Sequence, residues 1–431
     1  MKVGFITLGC KVNIYESNAL KNELIDAGFI VGDADENCDC YIINTCSVTN
    51  TSDAKSRKMI HKCIKMNPNA LCCVMGCYSQ TNPEEASKID GVDILIGNGN
   101  KHEAVMKIKE LLNQKRKAKY VNILDILEEH EYENLSSHIF DHTRAFVKIE
   151  DGCENFCTYC IIPYARGPIR CKKADLVIEE LQGICALGYK EVVLSGIHTG
   201  KYNDGEYNLS GLVRRILNEV KGLKRLRLSS IEINEIDDEF IQMMKENDVL
   251  ANHLHLPLQA GSDKILKLMN RRYDKAFFKE KLDKIKAVRA DISITTDVIV
   301  GFPYEEEADF METYNFCIEN GISKIHVFPY SVRRGTKAAD MPQVKDNIKK
   351  DRAHRLIELS NKLEEEYYKK FIGCKMDVIF EQKYNEYLIG HTSNFLQVII
   401  PYDKKYLKEN VEVELLKYVD GKLLGKIVEE C

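Results

Sequence analysis

The chain has 431 residues, of which 44% are hydrophobic and 29% are charged, so it is long enough for two or three domains with apolar cores. Its formal net charge of −5 excludes a uniformly basic protein, and a nucleic-acid partner would have to bind a local basic patch. No apolar run reaches membrane-spanning length and the N-terminus predicts a strand rather than a signal peptide. We therefore expect a cytoplasmic protein whose 16 cysteines are reduced thiols or metal ligands.

Strand-like and helix-like segments alternate through residues 1–112. Short apolar runs predict strands at residues 2–8, 40–44, 71–75 and 92–96. Apolar residues at helical spacing predict helices at residues 13–27, 52–66, 83–89 and 102–112. This alternation is typical of a parallel sheet covered by helices on both faces. We therefore predict an N-terminal α/β domain of flavodoxin-like type.

Three cysteines occupy the same structural position in this pattern. Cys10, Cys46 and Cys77, here called the N-terminal trio, each follow a predicted strand. Because the carboxyl ends of parallel strands share one edge of a sheet, the three thiols are expected to converge there. Three thiolates can hold a [4Fe–4S] cluster and leave one iron open. The alternative is that they are small buried apolar residues, the interpretation we give to Cys72 and Cys73 inside a strand.

Residues 113–142 predict a connector between domains. A basic run occupies residues 113–119 and an acidic run occupies residues 128–131. Such a change of sign is typical of a solvated connector, although the basic run could instead contact phosphate beside an interdomain cleft. The sequence leaves both interpretations open.

A compact cysteine motif begins the next segment. Cys153, Cys157 and Cys160, here called the core trio, have the spacing C-x3-C-x2-C. Their thiolates could hold a [4Fe–4S] cluster whose open iron binds a small chelating molecule. Zinc is the alternative, but a structural zinc site usually needs four ligands, and the next candidate is Cys171. The spacing therefore favours an iron–sulfur cluster.

Strand and helix patterns alternate again through residues 143–371. Apolar runs predict strands at residues 145–150, 191–194, 227–230, 254–258, 294–300 and 325–328. These six βα units are fewer than the eight that close a barrel. A long charged helix is predicted at residues 344–371, where it is expected to pack across the barrel.

The cysteine motifs resemble those of a known enzyme family. The core trio, with Tyr159 directly before its last cysteine, is similar to the signature of radical S-adenosylmethionine (SAM) enzymes. The strings TLGCKVN at residues 7–13 and NTCSVT at residues 44–49 resemble the methylthiotransferases, and most closely the branch that modifies threonylcarbamoyladenosine in tRNA. The branch acting on isopentenyladenosine reads differently around both cysteines. The branch acting on a ribosomal protein aspartate tends to have proline where Lys11 stands.

The resemblance covers nearly the whole chain and implies a fold, cofactors and partners. The central segment would form an open (βα)6 radical SAM barrel, whose core trio holds a [4Fe–4S] cluster that generates a 5′-deoxyadenosyl radical from SAM. The N-terminal trio would hold a second [4Fe–4S] cluster that donates sulfur, and a second SAM per turnover would donate the methyl group. The substrate would be threonylcarbamoyladenosine in the tRNA anticodon stem-loop, converted to its 2-methylthio derivative. A low-potential electron donor of flavodoxin or ferredoxin type would be required.

Three alternative functions stay open from the sequence. The methylthio group could be transferred to isopentenyladenosine in tRNA or to an aspartate of a ribosomal protein. The chain could also be a non-catalytic iron–sulfur protein that binds RNA. The oligomeric state is undetermined, with a monomer favoured.

Polar residues and glycines gather at the ends of the predicted barrel strands, where the sites of βα barrels are built. Backbone and hydroxyl donors there could hold the carboxylate and ribose of SAM, and glycines allow the chain to approach its adenine. Each position taken singly is also explained by an ordinary turn. By resemblance, the expected SAM-binding residues are Ser195, Gly196, Ser229, Glu232, Gln259 and Asp297.

Basic and histidine residues around the barrel each leave two interpretations. Basic residues follow the core trio at Arg166, Arg170, Lys172 and Lys173, and the last barrel strand at Arg333 and Arg334. They could contact RNA phosphate or be solvated surface residues. His253 and His255 alternate along a predicted strand and face one side, either as a metal-binding pair or as residues lining the barrel.

Residues 372–431 predict a small β-barrel. Period-two alternation predicts five short strands, and Asp420-Gly421 is a hairpin signal. This pattern fits an oligonucleotide-binding barrel, and the resemblance identifies it as a TRAM domain expected to grip tRNA. The segment from Gly373 onward has eight lysines, no arginine and ten acidic residues, so its charge does not predict RNA binding. Phe395 and several tyrosines could stack on bases or pack in the core.

Overall fold

The computed structural model describes residues 1–114, 119–138, 140 and 142–428. Most of the basic run predicted at residues 113–119 lies outside these ranges. The described chain forms an N-terminal α/β unit, a central βα unit and a C-terminal β-barrel, which confirms the predicted fold class. None of the described helices is both long and apolar enough to cross a membrane.

The N-terminal unit is a six-stranded parallel sheet flanked by helices. Its strands are β1 (Lys2–Thr7), β2 (Ile30–Asp33), β3 (Cys40–Thr45), β4 (Leu71–Gly76), β5 (Ile94–Ile96) and β6 (Tyr120–Asn122). Its helices are α1 (Lys11–Asp26), α2 (Asn50–Met66), α3 (Cys77–Thr81), α4 (Pro83–Ser87) and α5 (Lys101–Asn113). The strand order β2-β1-β3-β4-β5-β6 contains the flavodoxin-like order, with β6 added at one edge.

The strands at the centre of this sheet were predicted from the sequence, but the two edge strands were not. Strands β3 and β4 are buried over their whole length, because helices cover both faces, and Cys72 and Cys73 are confirmed as core residues. Edge strand β2 was not predicted, since it is partly exposed and has no continuous apolar run. Strand β6 pairs with β5, so the connector predicted for residues 113–142 is wrong at residues 120–122. Three residues are too few for periodicity to reveal a strand.

The central unit has the following elements in chain order. Its strands are β7 (Ala145–Lys148), β8 (Glu150–Asp151), β9 (Arg170–Cys171), β10 (Glu191–Ser195), β11 (Arg225–Leu228), β12 (His253–His255), β13 (Ser293–Val300) and β14 (Lys324–Pro329). Its helices are α6 (Ile162–Arg166), α7 (Ala174–Ala186), α8 (Leu209–Glu219), α9 (Asp238–Glu246), α10 (Asp263–Leu268), α11 (Lys275–Val288) and α12 (Glu307–Glu319).

Six of these strands form an open parallel barrel. They make two three-stranded sheets, β11-β10-β7 and β12-β13-β14, and a parallel bridge between Ser230 and His255 joins the two. The barrel therefore stays open between β7 and β14. The N-terminal unit covers this opening, because α1 packs against β7 and the Asn50 side chain donates to the Val332 carbonyl after β14 at 3.0 Å.

The C-terminal unit is a closed five-stranded barrel of order β15-β16-β17-β19-β18. Helix α13 (Asp346–Lys369) packs on β14 and connects the central unit to this C-terminal barrel. Its strands are β15 (Lys375–Tyr384), β16 (Tyr387–Thr392), β17 (Gln397–Pro401), β18 (Asn410–Val419) and β19 (Lys422–Ile427). Asp420 and Gly421 have φ values of +46° and +78°, the left-handed backbone of a two-residue hairpin, as predicted.

Candidate active site

The core trio lies on a tight loop between β8 and α6. Gly152 starts the loop at φ +97°, where an added Cβ would strike the backbone of a facing segment. Phe156 takes a left-handed conformation at φ +45°, and the Cys160 amide donates to the Cys157 carbonyl at 2.9 Å. The three thiols of this loop are all half-buried. The loop thus presents them together, and backbone hydrogen bonds from Cys153 to Gly167 and from Thr158 to Met269 hold it in place.

Polar side chains contact two thiols of the core trio. Arg271 Nη1 donates to Cys157 Sγ at 3.3 Å, and its Nη2 lies 2.8 Å from Glu232 Oε1. The His198 ring nitrogen Nδ1 lies 3.7 Å from Cys153 Sγ. Glu232, predicted to bind SAM, is thus held by an arginine that also binds the core trio. Sequence reasoning gave Arg271 no role.

Two predicted SAM-binding residues line a cavity beside the core trio. Gln259 and Asp297 form part of its wall, together with Tyr159 and Cys160 of the core-trio loop. Thr49, from the N-terminal unit, lies on another wall. Gln259 has a left-handed backbone at φ +66°, which turns the chain after β12. The position fits a small ligand bound where the two units meet.

Three more predicted residues lie on the adjoining barrel wall at the ends of β10 and β11. Ser229 Oγ lies 3.0 Å from Thr199 Oγ1, and a Cβ added at Gly196 would lie 2.5 Å from Glu150 Oε2. The hydroxyl of Ser195 is buried and has no hydrogen-bond partner within the described part of the chain. Glu150 Oε1 also lacks one, and burial raises the pKa of that carboxyl well above its usual value. Unpaired buried polar atoms fit a ligand that supplies the missing partners.

The N-terminal trio emerges from three neighbouring strands. Its cysteines follow β1, β3 and β4, which are adjacent in the sheet. Gly9 has φ +99°, and a Cβ added there would lie 2.9 Å from the Cys46 Cβ and 3.1 Å from its sulfur. Cys10 and Cys46 each interact electrostatically with Cys77. The structure therefore brings the three thiols to one edge of the sheet.

Two asparagines hold the loops that carry the N-terminal trio. Asn13 Nδ2 donates to the Leu8 carbonyl at 2.7 Å and to the Thr45 carbonyl at 2.9 Å. Asn98 Nδ2 lies 3.5 Å from Cys77 Sγ. Neither asparagine was singled out from the sequence, because their roles depend on loops that are far apart along the chain.

Neither trio has the spacing of a single-metal site. Two thiolates on one zinc would lie about 3.8 Å apart. In the described ranges, three ligand atoms all within 4.8 Å of one another occur at two histidine–carboxylate groups, and neither trio meets this limit. Wider spacing fits a cluster whose thiolates bind separate irons.

The raised pKa values of these thiols indicate that they need a cationic group, such as a metal cluster, to become thiolates. Burial raises the pKa of Cys160 to about 12, and it raises the pKa values of Cys46 and Cys153 as well. Thiolates are the form that ligates metals. These three thiols therefore need nearby positive charge before they can lose their protons.

A buried ion network joins the two units between the trios. Arg166, at the end of α6, is fully buried, and its Nη1 lies 2.6 Å from Glu16 Oε1 and 3.1 Å from Asp151 Oδ2. Lys101 and Lys148 pair with Glu16 at 3.1 and 3.2 Å. Both predicted interpretations of Arg166, an RNA contact and a solvated residue, are wrong because the side chain lies inside the interface.

This network carries excess positive charge. Burial favours the neutral form of Glu16, but Arg166, Lys101 and Lys148 hold the pKa of its carboxyl well below the usual range. Burial would also raise the pKa of Asp151, yet Arg166 and Lys148 lower it to about 2. Arg166 additionally interacts with two thiols of the N-terminal trio. It therefore favours their thiolate forms.

Two other arginines that could have been surface residues are buried as well. Arg170 is 5% exposed and donates to the Arg166 carbonyl at 2.5 Å. Arg333 is 6% exposed and donates to Asp53 Oδ2 at 2.8 Å and to Ser47 Oγ, next to the N-terminal trio, at 2.9 Å. The RNA-facing and solvated interpretations are wrong for both, because both side chains are buried in polar contacts. Lys172 is buried too, whereas Lys173 and Arg334 are exposed and both interpretations stay predictions for them.

A second cavity lies inside the barrel, beside the amino ends of β13 and β14, and it also reaches the predicted SAM-binding residue Ser229 at the carboxyl end of β11. This lower chamber has a volume of about 250 Å³ and is lined by cationic, histidine and aromatic side chains, among them Lys11, Arg144, Arg227, His255, His326 and Phe395. His255 Nε2 lies 3.2 Å from Asp297 Oδ1, so the lower chamber meets the cavity beside the core trio at that contact.

The predicted histidine pair lines this chamber. His253 and His255 both hydrogen-bond Thr295 Oγ1, at 3.0 and 2.9 Å. Phe395, from the C-terminal barrel, stacks between His253 and His391 with ring centroids 5.0 and 4.7 Å apart. Phe395 is half-buried on the chamber wall, where it packs on these two rings, and its stacking on a base stays a prediction.

Two protein-family models match the chain. The model described as Uncharacterized protein family UPF0004 matches residues 2–97, and that of the Radical SAM superfamily matches residues 147–317. Membership of the Radical SAM superfamily implies SAM and a [4Fe–4S] cluster as cofactors.

Curated relatives align over almost the whole chain. Threonylcarbamoyladenosine tRNA methylthiotransferase MtaB of Bacillus subtilis is 42% identical over 99% of this chain and 97% of that protein. The Aquifex aeolicus protein of the same name is 40% identical over 87% of this chain and 92% of its own length. A tRNA-2-methylthio-N(6)-dimethylallyladenosine synthase of Clostridium perfringens is 35% identical over 98% of this chain and 97% of that protein.

A solved structure shares the fold at low sequence identity. The radical SAM methyltransferase TsrM from Kitasatospora setae aligns with a TM-score of 0.58 and 15% identity, over 78% of this chain and 76% of that chain. This likeness concerns the fold alone. With the full-length similarity to the curated relatives, the chain belongs to the radical SAM family of tRNA methylthiotransferases.

Proposed function

We propose that this protein is a cytoplasmic methylthiotransferase that converts N6-threonylcarbamoyladenosine, next to the anticodon of tRNA, to its 2-methylthio derivative. The observation that carries the proposal is the pair of thiol trios on either side of one buried interface. Two relatives named for threonylcarbamoyladenosine are 42% and 40% identical, above the 35% of the Clostridium perfringens relative named for dimethylallyladenosine, and this supports the substrate. Others named for threonylcarbamoyladenosine range from 33% to 36%. The anticodon stem-loop would be the partner.

Each trio would hold one [4Fe–4S] cluster. Cys153, Cys157 and Cys160 would hold the one that binds SAM, and the N-terminal trio would hold a second, sulfur-donating cluster. When bound, these groups and two SAM molecules per turnover supply the radical, sulfur and methyl chemistry that an unactivated adenine carbon requires. A low-potential donor of flavodoxin or ferredoxin type would supply electrons.

The chain's own residues would orient these groups and balance their charge. Arg271 would stabilise the Cys157 thiolate that it already contacts at 3.3 Å. Arg166 would offset the negative charge of the N-terminal trio from within the interface. The residues proposed to contact SAM are Ser195, Gly196, Ser229, Glu232, Gln259 and Asp297.

A division of labour between domains follows from the proposal. Residues 1–112, extended by β6, would carry the sulfur-donating cluster, and residues 143–371 would carry SAM. Residues 372–431 would act as a TRAM domain that binds tRNA. Exposed Tyr384 and Tyr402 support this role, since Lys422 and Lys383 lie 4.9 and 4.8 Å from their ring centroids and combine stacking with charge.

Nucleoside mass spectrometry of tRNA from a strain lacking this protein tests the proposal. We expect the 2-methylthio derivative of threonylcarbamoyladenosine to disappear, the unthiolated nucleoside to accumulate, and expression of the protein to restore the modification. Loss of methylthiolated dimethylallyladenosine instead, or an unchanged nucleoside profile, would overturn the choice of substrate.

A further inference from the structure

The lower chamber has an unusual charge balance. Its lining includes four cationic side chains, Lys11, Arg144, Arg227 and Lys324, and one carboxylate, Glu364. A polar group that enters this chamber would leave water, so charges on the wall act on it more strongly than they would at the surface. The balance therefore favours an anionic group over an apolar one.

Three of the four cations already have carboxylate partners. Arg227 Nε lies 2.5 Å from Glu191 Oε1. Arg144 Nη2 lies 3.2 Å from Glu381 Oε2, and Lys324 Nζ lies 2.7 Å from Glu364 Oε1. These pairs fix the side chains and neutralise most of their charge. They are poor candidates for holding a ligand.

Lys11 differs from these three cations. Over the described ranges it forms no ion pair within 4.0 Å and no hydrogen bond, although it interacts at longer range with Asp297, Cys10 and Arg144. Asp297 is itself in contact with His255 at 3.2 Å. The Lys11 ammonium therefore lies at the wall of the lower chamber with its three donors unused.

The position of Lys11 connects the chamber to the proposed chemistry. It is the first residue of α1 and directly follows Cys10, so it lies beside the N-terminal trio. The contact between His255 and Asp297 joins the lower chamber to the cavity that contains Cys160. A base that reached both trios could place a substituent into the lower chamber.

We propose that Lys11 determines substrate specificity by binding the carboxylate of the threonyl group on the modified adenosine. This inference rests on the proposed function. A threonylcarbamoyl group carries a free carboxylate, whereas the dimethylallyl group named for the Clostridium perfringens relative is apolar. The first would pair with the ammonium. The second would displace water from the exposed Lys11 ammonium and offer it no partner, which disfavours the dimethylallyl group.

A chemical double-mutant cycle tests this assignment by binding. Stem-loops carrying threonylcarbamoyladenosine, or its threoninamide analogue without the negative charge, are titrated against the wild-type holoenzyme and Lys11→Met. Losing one charge-assisted hydrogen bond weakens binding by about 10- to 100-fold. We expect this loss for Lys11→Met with the carboxylate and for the wild type with the amide. Combining both changes should add little further loss.

Two variants act as controls. Lys11→Arg keeps the charge and should recover most of the affinity. Lys324→Met removes one charge from the same chamber, but that lysine is already paired with Glu364, so affinity should stay within about threefold of wild type. Iron content and the melting temperature of Lys11→Met should match the wild type.

The outcomes separate this inference from the proposed function. If the wild type methylthiolates threonylcarbamoyladenosine while Lys11→Met binds the carboxylate and the amide as the wild type does, the Lys11 assignment is overturned. An equal loss in Lys324→Met would also overturn it, because bulk charge in the chamber would then explain binding. If the wild type fails to methylthiolate threonylcarbamoyladenosine, the proposed function fails first.

Discussion

The two cysteine trios are assembled by opposite structural routes. The core trio falls within residues 153–160 of one loop, whose shape is set locally by Gly152 and by the left-handed backbone of Phe156. The N-terminal trio is assembled by the sheet order, which places the ends of β1, β3 and β4 side by side.

This difference predicts different vulnerabilities. The core trio is carried by a single loop that is held from within the central unit, so substitutions at the interface with the N-terminal unit should leave the core trio able to bind metal. The N-terminal trio depends on the loops held by Asn13 and on charge supplied from the other unit by Arg166. Substitutions at the interface should therefore weaken iron binding at the N-terminal trio before they affect iron binding at the core trio.

The largest effect is expected for Cys46→Ala, which removes one thiol of the N-terminal trio. Methylthiolation should be abolished, while SAM cleavage to 5′-deoxyadenosine continues, since the core trio is intact. Cys157→Ala is the matched variant and should abolish SAM cleavage. Product analysis by mass spectrometry measures both. Methylthiolation that survives in Cys46→Ala would remove the proposed role of the N-terminal trio.

Arg166→Met tests the dependence on the interface. It leaves the buried carboxylates of Glu16 and Asp151 short of a partner, which should cost about 3 to 5 kcal/mol of unfolding free energy. Denaturant unfolding measures this cost, and the N-terminal trio should lose iron before the core trio does. Arg214→Ala breaks an exposed pair with Glu239 and should cost less than about 1 kcal/mol. Equal costs for the two variants would contradict the account.

The same network should make stability depend on acid pH. The folded-state pKa of Asp151 is about 2, below the unfolded value of about 3.9, so its contribution is present above the unfolded pKa. That contribution, about 2 kcal/mol, is lost as the pH falls from about 4 to 2. Melting temperatures over this range should fall less steeply in Arg166→Met than in the wild type. If the melting temperatures of the two proteins fall equally steeply with pH, the network is excluded as the source of the acid sensitivity.

A pair of glycine substitutions tests how tightly the N-terminal trio is packed. Gly9 and Gly28 both have positive φ, but an added Cβ at Gly9 meets Cys46 whereas one at Gly28 meets nothing within 4 Å. Gly28→Ala should cost about 1 kcal/mol from backbone strain, and Gly9→Ala about 2 kcal/mol or more. Only Gly9→Ala should lower iron at the N-terminal trio, as measured after anaerobic reconstitution. Equal iron in both variants would contradict this packing.

The smallest effect is expected for Ser195→Ala on the core side. Its buried hydroxyl has no partner in the described chain, so its removal should not lower the melting temperature. If the hydroxyl binds SAM, SAM affinity should fall by about tenfold, as measured by equilibrium binding. Unchanged affinity would exclude Ser195 from the SAM site.

The sequence predicted those features whose causes are local or repeated. The fully buried strands β3 and β4, the hairpin at Asp420-Gly421 and the core-trio loop each have a signal within a few residues. Even the convergence of the N-terminal trio follows from a general rule about the ends of parallel strands. The edge strands β2 and β6 are short or half-exposed and give no such signal.

Charged residues at the interface could not be interpreted from sequence alone. Arg166 and Glu16 are 150 positions apart and pair only in the folded chain. An arginine beside a cysteine motif is more often exposed than buried, so both interpretations offered for it assumed a surface position. Lys11 lies within the string TLGCKVN, and its place at the lower chamber is evident only from the packing of α1 against β7.

The account depends most directly on the claim that the two trios bind metal independently. The decisive measurement is the iron and acid-labile sulfide content of a variant in which Cys153, Cys157 and Cys160 are all replaced by alanine, after anaerobic reconstitution. We predict that about four irons remain, held by Cys10, Cys46 and Cys77. A variant that folds like the wild type but binds no iron would contradict the claim.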